Sequence, residues 1–283
     1  MRFNFKITII FFSLVLSPLI NFSQNQNSQN WSNDQREDYT AAFQALQIGT
    51  TISSKLPEKN SWNVLITHRF GDVRGGFKEF FGLDNASTRL GVVYGLTDFL
   101  ALGISRETQN KTFEFNGKYR ILKQSHQFPV EIVALHTIGL STEYSAINYP
   151  GIQFLDRLSY LHQLLFARRF NENISLQISG SFIHKNLYDP AIEMSNQFYL
   201  GLGGKYKLTR VLSLTGEYFA NLNSFGIYNN PLTLGLDVKT GRHVFQLLFS
   251  NSQINSGIGY LSNAVGDWSK GKVFFGFNLY RTF

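Results

Sequence analysis

The chain has 283 residues, 26 Lys and Arg against 19 Asp and Glu for a formal charge of +7, and no Cys. The missing Cys excludes a disulfide framework, thiolate metal sites and a lipid-modified N-terminal Cys, and a 43% hydrophobic share excludes a disordered chain. With 27 Phe, 13 Tyr and 24 Gly but only 16% charged residues, the composition favours β structure with one apolar face.

Met1–Lys6 carries Arg2 and Lys6 and no acid, and Ile7–Leu16 is apolar apart from Thr8 and Ser13. A basic start, a short apolar core and then Ser17-Pro18 before a Gln/Asn-rich stretch describe a secretory signal over 1–23, cleaved after Ser23. The apolar run is too short for a spanning helix, which needs ~20 residues. No block of like charges supports nucleic-acid binding, so none is expected despite the basic balance.

Residues 24–60 read as a flexible leader followed by a short periplasmic or lumenal segment. Asp34–Leu46 admits a helix capped by Asn33 or Asp34, with Tyr39, Ala42, Phe43 and Leu46 on one face. A strand through Phe43–Thr50 is an equal alternative, and Ser53–Asn60 is a turn-rich connector.

From Trp62 the chain alternates apolar and polar residues, the signature of strands with one greasy and one polar face. Phe113 to Ile121 does so without an error, and Ile174–Phe182 follows the same rule. Twelve strands are expected over 61–283, with ten or fourteen as alternatives: 62–70, 87–94, 99–106, 112–122, 129–139, 157–170, 174–183, 196–207, 211–221, 231–239, 243–250 and 272–283. Most have the ~9–11 residues that a tilted strand needs to cross a bilayer. The connections 71–86, 107–111, 140–156, 184–195, 222–230 and 251–271 are long, with 107–111 a near-tie. The intervening ones, 95–98, 123–128, 171–173, 208–210 and 240–242, are short.

That alternation predicts an all-β fold: a closed up-and-down antiparallel transmembrane barrel with long loops on one side and tight turns on the other. A soluble β-sandwich, the rival fold, has no reason to sort its loops this way. The expected place is the outer membrane of a Gram-negative bacterium, in contact with its lipid. An even strand count puts both barrel ends in the periplasm and argues against 43–50 as a thirteenth strand, leaving that segment below the barrel or inside its lumen. Trp62, Phe70, Tyr94, Tyr119, Phe170, Tyr206, Tyr218 and Tyr280 fall near strand ends, as interfacial girdles require. The last strand ends on Phe283 with Leu279, Phe277, Phe275 and Val273 on one face. It resembles the C-terminal strand by which outer-membrane proteins engage the barrel-assembly machinery, except that Arg281 stands at a normally apolar place.

His68-Arg69-Phe70-Gly71, Phe80-Phe81-Gly82-Leu83-Asp84-Asn85-Ala86, Tyr94-Gly95-Leu96-Thr97-Asp98, Gly241-Arg242-His243-Val244-Phe245-Gln246 and Asn251-Ser252-Gln253 also resemble a family catalogued as domain of unknown function 5777. The resemblance covers most of the chain after the leader. It implies an outer-membrane β-barrel and supplies no activity, cofactor or catalytic residue.

Candidate chemistry is sparse. The six His (68, 126, 136, 162, 184 and 243) show no metal-ligand spacing. Outer-membrane phospholipases share a twelve-stranded barrel with a Ser–His–Asn arrangement, but here no His is followed two residues later by Ser, and no G-x-S-x-G motif occurs. Gly201-Leu202-Gly203-Gly204-Lys205 imitates a phosphate loop but lies inside a strand, where small residues facing a crowded interior explain it better. No catalytic residue, metal or cofactor is therefore expected.

The polar strand parity should line the lumen. It contains Arg69, Arg89, Lys118, Arg120, Lys205, Lys207, Lys239 and Lys272 against Glu114, Glu131, Glu217 and Asp237, which leans toward anions if water fills the interior. If the lumen is plugged, these groups pair across it instead. The leading expectation is a passive channel or small-solute transporter with specificity in the lumen and in loops 71–86, 140–156 and 251–271. Phe77, Phe80 and Phe81 could form a constriction or face a partner. The alternatives are a closed structural or docking barrel acting through its surface loops, and a membrane-embedded lipid hydrolase.

Overall fold

The structure, a computed structural model, describes residues 42–144, 147–223 and 226–283. The expected signal peptide, the leader and most of the alternative helix at 34–46 lie outside the described residues. Twelve strands close into one antiparallel barrel: β1 (Trp62–Asp72), β2 (Ala86–Gly95), β3 (Leu100–Glu107), β4 (Thr112–Leu122), β5 (Glu131–Ser141), β6 (Leu158–Arg169), β7 (Ile174–Lys185), β8 (Asn196–Lys207), β9 (Leu212–Asn221), β10 (Leu232–Thr240), β11 (His243–Ser250) and β12 (Phe274–Thr282). Each strand pairs with its chain neighbours, and β1 pairs with β12, Asn63 opposite Thr282 through Arg69 opposite Gly276. Beyond the ladder, Phe283 donates its N–H to the Trp62 carbonyl at 2.8 Å. No strand edge is left open, as hydrocarbon requires of a spanning sheet.

Every expected strand is present with ends shifted by a few residues at most. The last begins at Phe274, so Lys272 falls outside it, in an isolated antiparallel bridge with Asp267. Loops and turns sort to opposite ends, although the turn 123–130 is longer than the loop 108–111.

Alternation decides what faces where. On β8, Phe198, Leu200, Leu202 and Tyr206 are exposed on the outer wall while Gln197, Tyr199, Gly201, Gly203 and Lys205 are buried within. His68, His162 and Arg281 point outward among aromatics, the Arg281 guanidinium lying 4.6 Å from the centre of the Phe283 ring. Trp62 and Tyr94 meet at 4.4 Å between ring centroids at the end where β1 begins and β12 finishes, the terminal end of the barrel. Tyr280 departs from the expected girdle. Its position on β12 shares parity with Phe274 and Asn278, so it faces inward and is buried.

The lumen is occupied. Residues 42–56 enter it from the terminal end as a tight hairpin, with Gln47 bridged to Ile52 and Ile48 donating to the Thr51 carbonyl at 3.0 Å. Residues 42–46 are neither helix nor strand, so both readings of that stretch fail where it is described. Local propensity is overridden here because the wall supplies the backbone partners. From the other end the β11–β12 connection folds inward and carries a short helix α1 (Gly257–Ser262), buried over Ile258–Ser262.

Leu202 lies on the outer face midway along β8. Leu202→Arg should cost about 2–4 kcal/mol if this face meets the bilayer core. Urea unfolding in lipid vesicles measures it; a loss within the error of wild type would place that face away from lipid.

Candidate functional site

The hairpin is held by wall side chains that grip its backbone. Glu217 of β9 accepts from the N–H groups of Thr50 (2.6 Å) and Thr51 (3.2 Å) and from the Thr51 hydroxyl (2.5 Å). Around the same turn, Asn278 donates to the Gly49 carbonyl (2.7 Å), Gln246 to that of Ile48 (3.1 Å), and Arg69 to the Thr50 hydroxyl (3.0 Å). Tyr280 donates to the Gln47 side-chain carbonyl at 2.5 Å. On the returning arm, Lys118 donates to the carbonyls of Ser53 (2.6 Å) and Lys55, and the Ser54 hydroxyl donates to Glu131 (2.7 Å). Burial, followed by the charge of Lys239, holds the Lys55 ammonium below its ordinary pKa.

The upper plug uses the same device. Glu114 of β4 accepts from the N–H groups of Gly257 (3.2 Å) and Ile258 (3.1 Å), capping the first turn of α1 with a carboxylate from the barrel wall. Arg89 bonds that carboxylate at 2.8 Å and the Asn255 carbonyl at 3.1 Å, and Glu107 accepts from the Asn255 N–H at 2.5 Å. Tyr260 of α1 bonds the Thr233 hydroxyl of β10 at 2.8 Å.

Two close approaches need glycine. A Cβ on Gly203 would lie 2.5 Å from Ile48 Cδ1, and one on Gly139 would lie 2.9 Å from Ile258 Cδ1. Gly203 is therefore the seat for Ile48 of the hairpin, while Gly201 makes room for Phe219 of the wall.

Of the sequence candidates, Arg69, Arg89, Glu114, Lys118, Glu131, Lys205, Glu217 and Asp237 are buried. Arg120 pairs with Glu131 at 2.7 Å and is partly exposed, as are Lys207 and Lys239 near the terminal rim. Lys272 lies among the long loops, away from the others. Missing from the candidate set are Glu107, one residue past the expected end of its strand, Gln246 and Asn278, which are uncharged but marked by parity on β11 and β12, and Tyr260, which no pattern marked.

What remains empty is unevenly spread. Where hairpin and α1 meet, about 10 Å³ is left, no more than one water needs. At the long-loop end a cavity of about 470 Å³ opens above α1, with Ser256, Ile258, Gly259 and Asn263 in its floor. A neighbouring one of about 240 Å³ shares Glu193 and Tyr228 with it. Phe77, Phe80 and Phe81 stand outside the lumen, Phe77 at 87% exposure, so they form no constriction. Phe80 and Phe81 both hold positive φ, 46° and 55°, an uncommon and strained geometry for aromatic residues. The loop that narrows the barrel is 251–271.

The hairpin's grip is testable. Glu217→Ala should speed amide exchange at Thr50 and Thr51 by about tenfold or more while the barrel strands stay protected. Unchanged exchange at those two amides would show that Glu217 is not what holds the turn.

Comparison with known proteins places this geometry. Two solved porins have the same overall fold: the NanC porin, 10% identical with a TM-score of 0.50 over 78% of this chain and 98% of its own, and the KdgM porin, 9% identical with a TM-score of 0.51 over 78% and 99%. At these identities the likeness is one of fold. No curated protein sequence matches the chain. The family described as membrane bound beta barrel domain, domain of unknown function 5777, matches residues 43–283, hairpin and barrel together, and the chain belongs to that family.

Proposed function

We propose that the protein is an outer-membrane channel or small-solute transporter, closed in this conformation by two of its own segments and anion-leaning when open. The termini and short turns are then periplasmic and the long loops external. The observation that carries this reading is the chemistry of the wall facing the plugs. Lys118, Glu114 and Glu217 bond backbone groups of the lumenal segments, and Arg69 and Glu131 meet the hydroxyls of Thr50 and Ser54. Buried charge is costly, and apolar residues of similar volume usually serve a permanently filled interior as well or better. A charged wall gains its use once the segments withdraw and water replaces their peptide groups. In that state the wall facing the hairpin, with the rim below it, would present Arg69, Lys118, Arg120, Lys205, Lys207 and Lys239 against Glu131, Glu217 and Asp237, an excess of cations that attracts anions. The porin names of the two similar structures support the same broad role.

Because the chain has no Cys, a lock is simple to build. Ile48→Cys with Gly203→Cys should oxidise to a disulfide that pins the hairpin. Planar-bilayer recordings should then be silent until reductant is added, when steady channels open. Reversal potentials in a salt gradient should favour anions, and Arg120→Gln with Lys205→Gln should remove that preference. Silence in both redox states, with insertion verified, would instead make this a closed docking barrel that works through its surface loops.

A further inference from the structure

The cavity above α1 lies on the outer side of the upper plug, and its charge runs against that of the protein. The chain is basic overall, yet the cavity is lined by Glu143, Asp156, Asp189 and Glu193 against Arg157 and Lys185. Of the two cations only Lys185 is paired with a carboxylate. Lys185 is held by Glu193 at 2.5 Å and by the Asn263 side-chain carbonyl at 3.2 Å. Arg157 lies 5.5 Å from the centre of the Phe154 ring and reaches the Tyr144 carbonyl at 3.5 Å. Three carboxylates, Glu143, Asp156 and Asp189, make no ion pair among the described residues, against one such cation, Arg157. Asp156 and Asp189 accept only from neighbouring backbone N–H groups, those of Gln153 and Ala191, which leave the charge un-neutralised. Glu143 stands beside Tyr144, whose hydroxyl is pushed above its usual pKa by burial first and by Glu143 next.

The rest of the lining fits the same kind of guest. Tyr144, Tyr188 and Tyr228 bring aromatic rings to the lining, which attract ammonium groups, and Asn110 brings an amide. A volume of about 470 Å³ falls within the range of small-molecule sites. Among the described residues no three His, Asp or Glu side chains stand close enough to share a metal ion. A bare divalent cation, which needs several oxygens at once, is therefore poorly served. Separated carboxylates with tyrosines between them suit separated ammonium groups on one flexible molecule.

We propose that this cavity is a binding site for a small organic polycation, an amine bearing two or more ammonium groups. The site stands apart from the channel reading, because occupancy is measured without any current. Its floor is α1, so a guest would sit directly on the upper plug, beside the Lys185–Asn263 contact.

Titration calorimetry on the refolded full chain in detergent tests it, with spermidine, citrate, raffinose and calcium chloride as probes. Spermidine should bind with one-to-one stoichiometry, weaken as salt rises, and bind in preference to citrate and raffinose. Glu143→Gln with Asp189→Asn should weaken spermidine by about tenfold, the product of two partly exposed charge contacts. Tyr188→Ala supplies a second, uncharged variant that should also weaken it. Heat-modifiable gel mobility verifies that each variant forms the barrel. Spermidine binding that both variants leave intact would overturn the proposal. So would equal binding of citrate or raffinose, or displacement of spermidine by equimolar calcium.

Discussion

Everything in this molecule depends on pairing each backbone N–H and C=O without help from solvent. In a bilayer that requirement forces the first strand to meet the last, and the β1–β12 ladder is where it is met. The sheet then has no edge, its outer face is committed to apolar side chains, and its polar residues are sent inward. The same demand recurs inside. The hairpin at 42–56 and the loop at 251–271 carry peptide groups into a crowded lumen, where each must find a partner. The wall supplies these partners as side chains: carboxylates for N–H groups, and Lys, Arg, Asn and Gln for carbonyls. The interior is thus organised as a complement to backbone, which is why so many of its bonds join a side chain to a main-chain atom.

This arrangement makes the lumenal charges intelligible. Glu217, Glu114 and Lys118 would be expensive if buried alone, but each meets two or more backbone groups of a plug. Apolar contacts add to the hold without dominating it. Ile48 rests against Gly203, while Ile258, Tyr260 and Leu261 join Leu161, Ile183, Tyr199 and Phe219 in one cluster beneath the long loops. A wall that grips largely through polar groups can exchange its partner for water at modest cost, whereas one sealed by hydrocarbon cannot.

Much of the barrel could be read before any coordinates, since a period of two over about ten residues is a strong signal and loop lengths sorted the connections into two sets. Inward and outward parity at Arg69, Lys118 and Glu217 was equally plain. Tyr280 was misjudged because an aromatic near a strand end suggests a girdle, although its parity with Asn278 already pointed inward. The interior filling was harder to see. Residues 42–56 carry little periodic signal, and the loop 251–271 looks like a polar surface connection, being rich in Asn, Ser and Gly. Both fold as they do because of partners far away in the chain, and no local pattern encodes that. The acidic cavity was hidden for the same reason, its carboxylates being scattered over separate loops.

The two segments that fill the lumen both join the chain at the seam. The hairpin runs directly into β1, and the inward loop runs directly into β12. Arg69 on one side of that seam and Asn278 on the other hold adjacent residues of the hairpin turn. The filling need not be threaded through a finished cylinder, because each piece can be laid in place while the wall is still a curved, open sheet. Zipping the final pair of strands then completes wall and contents together. Assembly of this barrel is in this sense a wrapping of the sheet around its own ends.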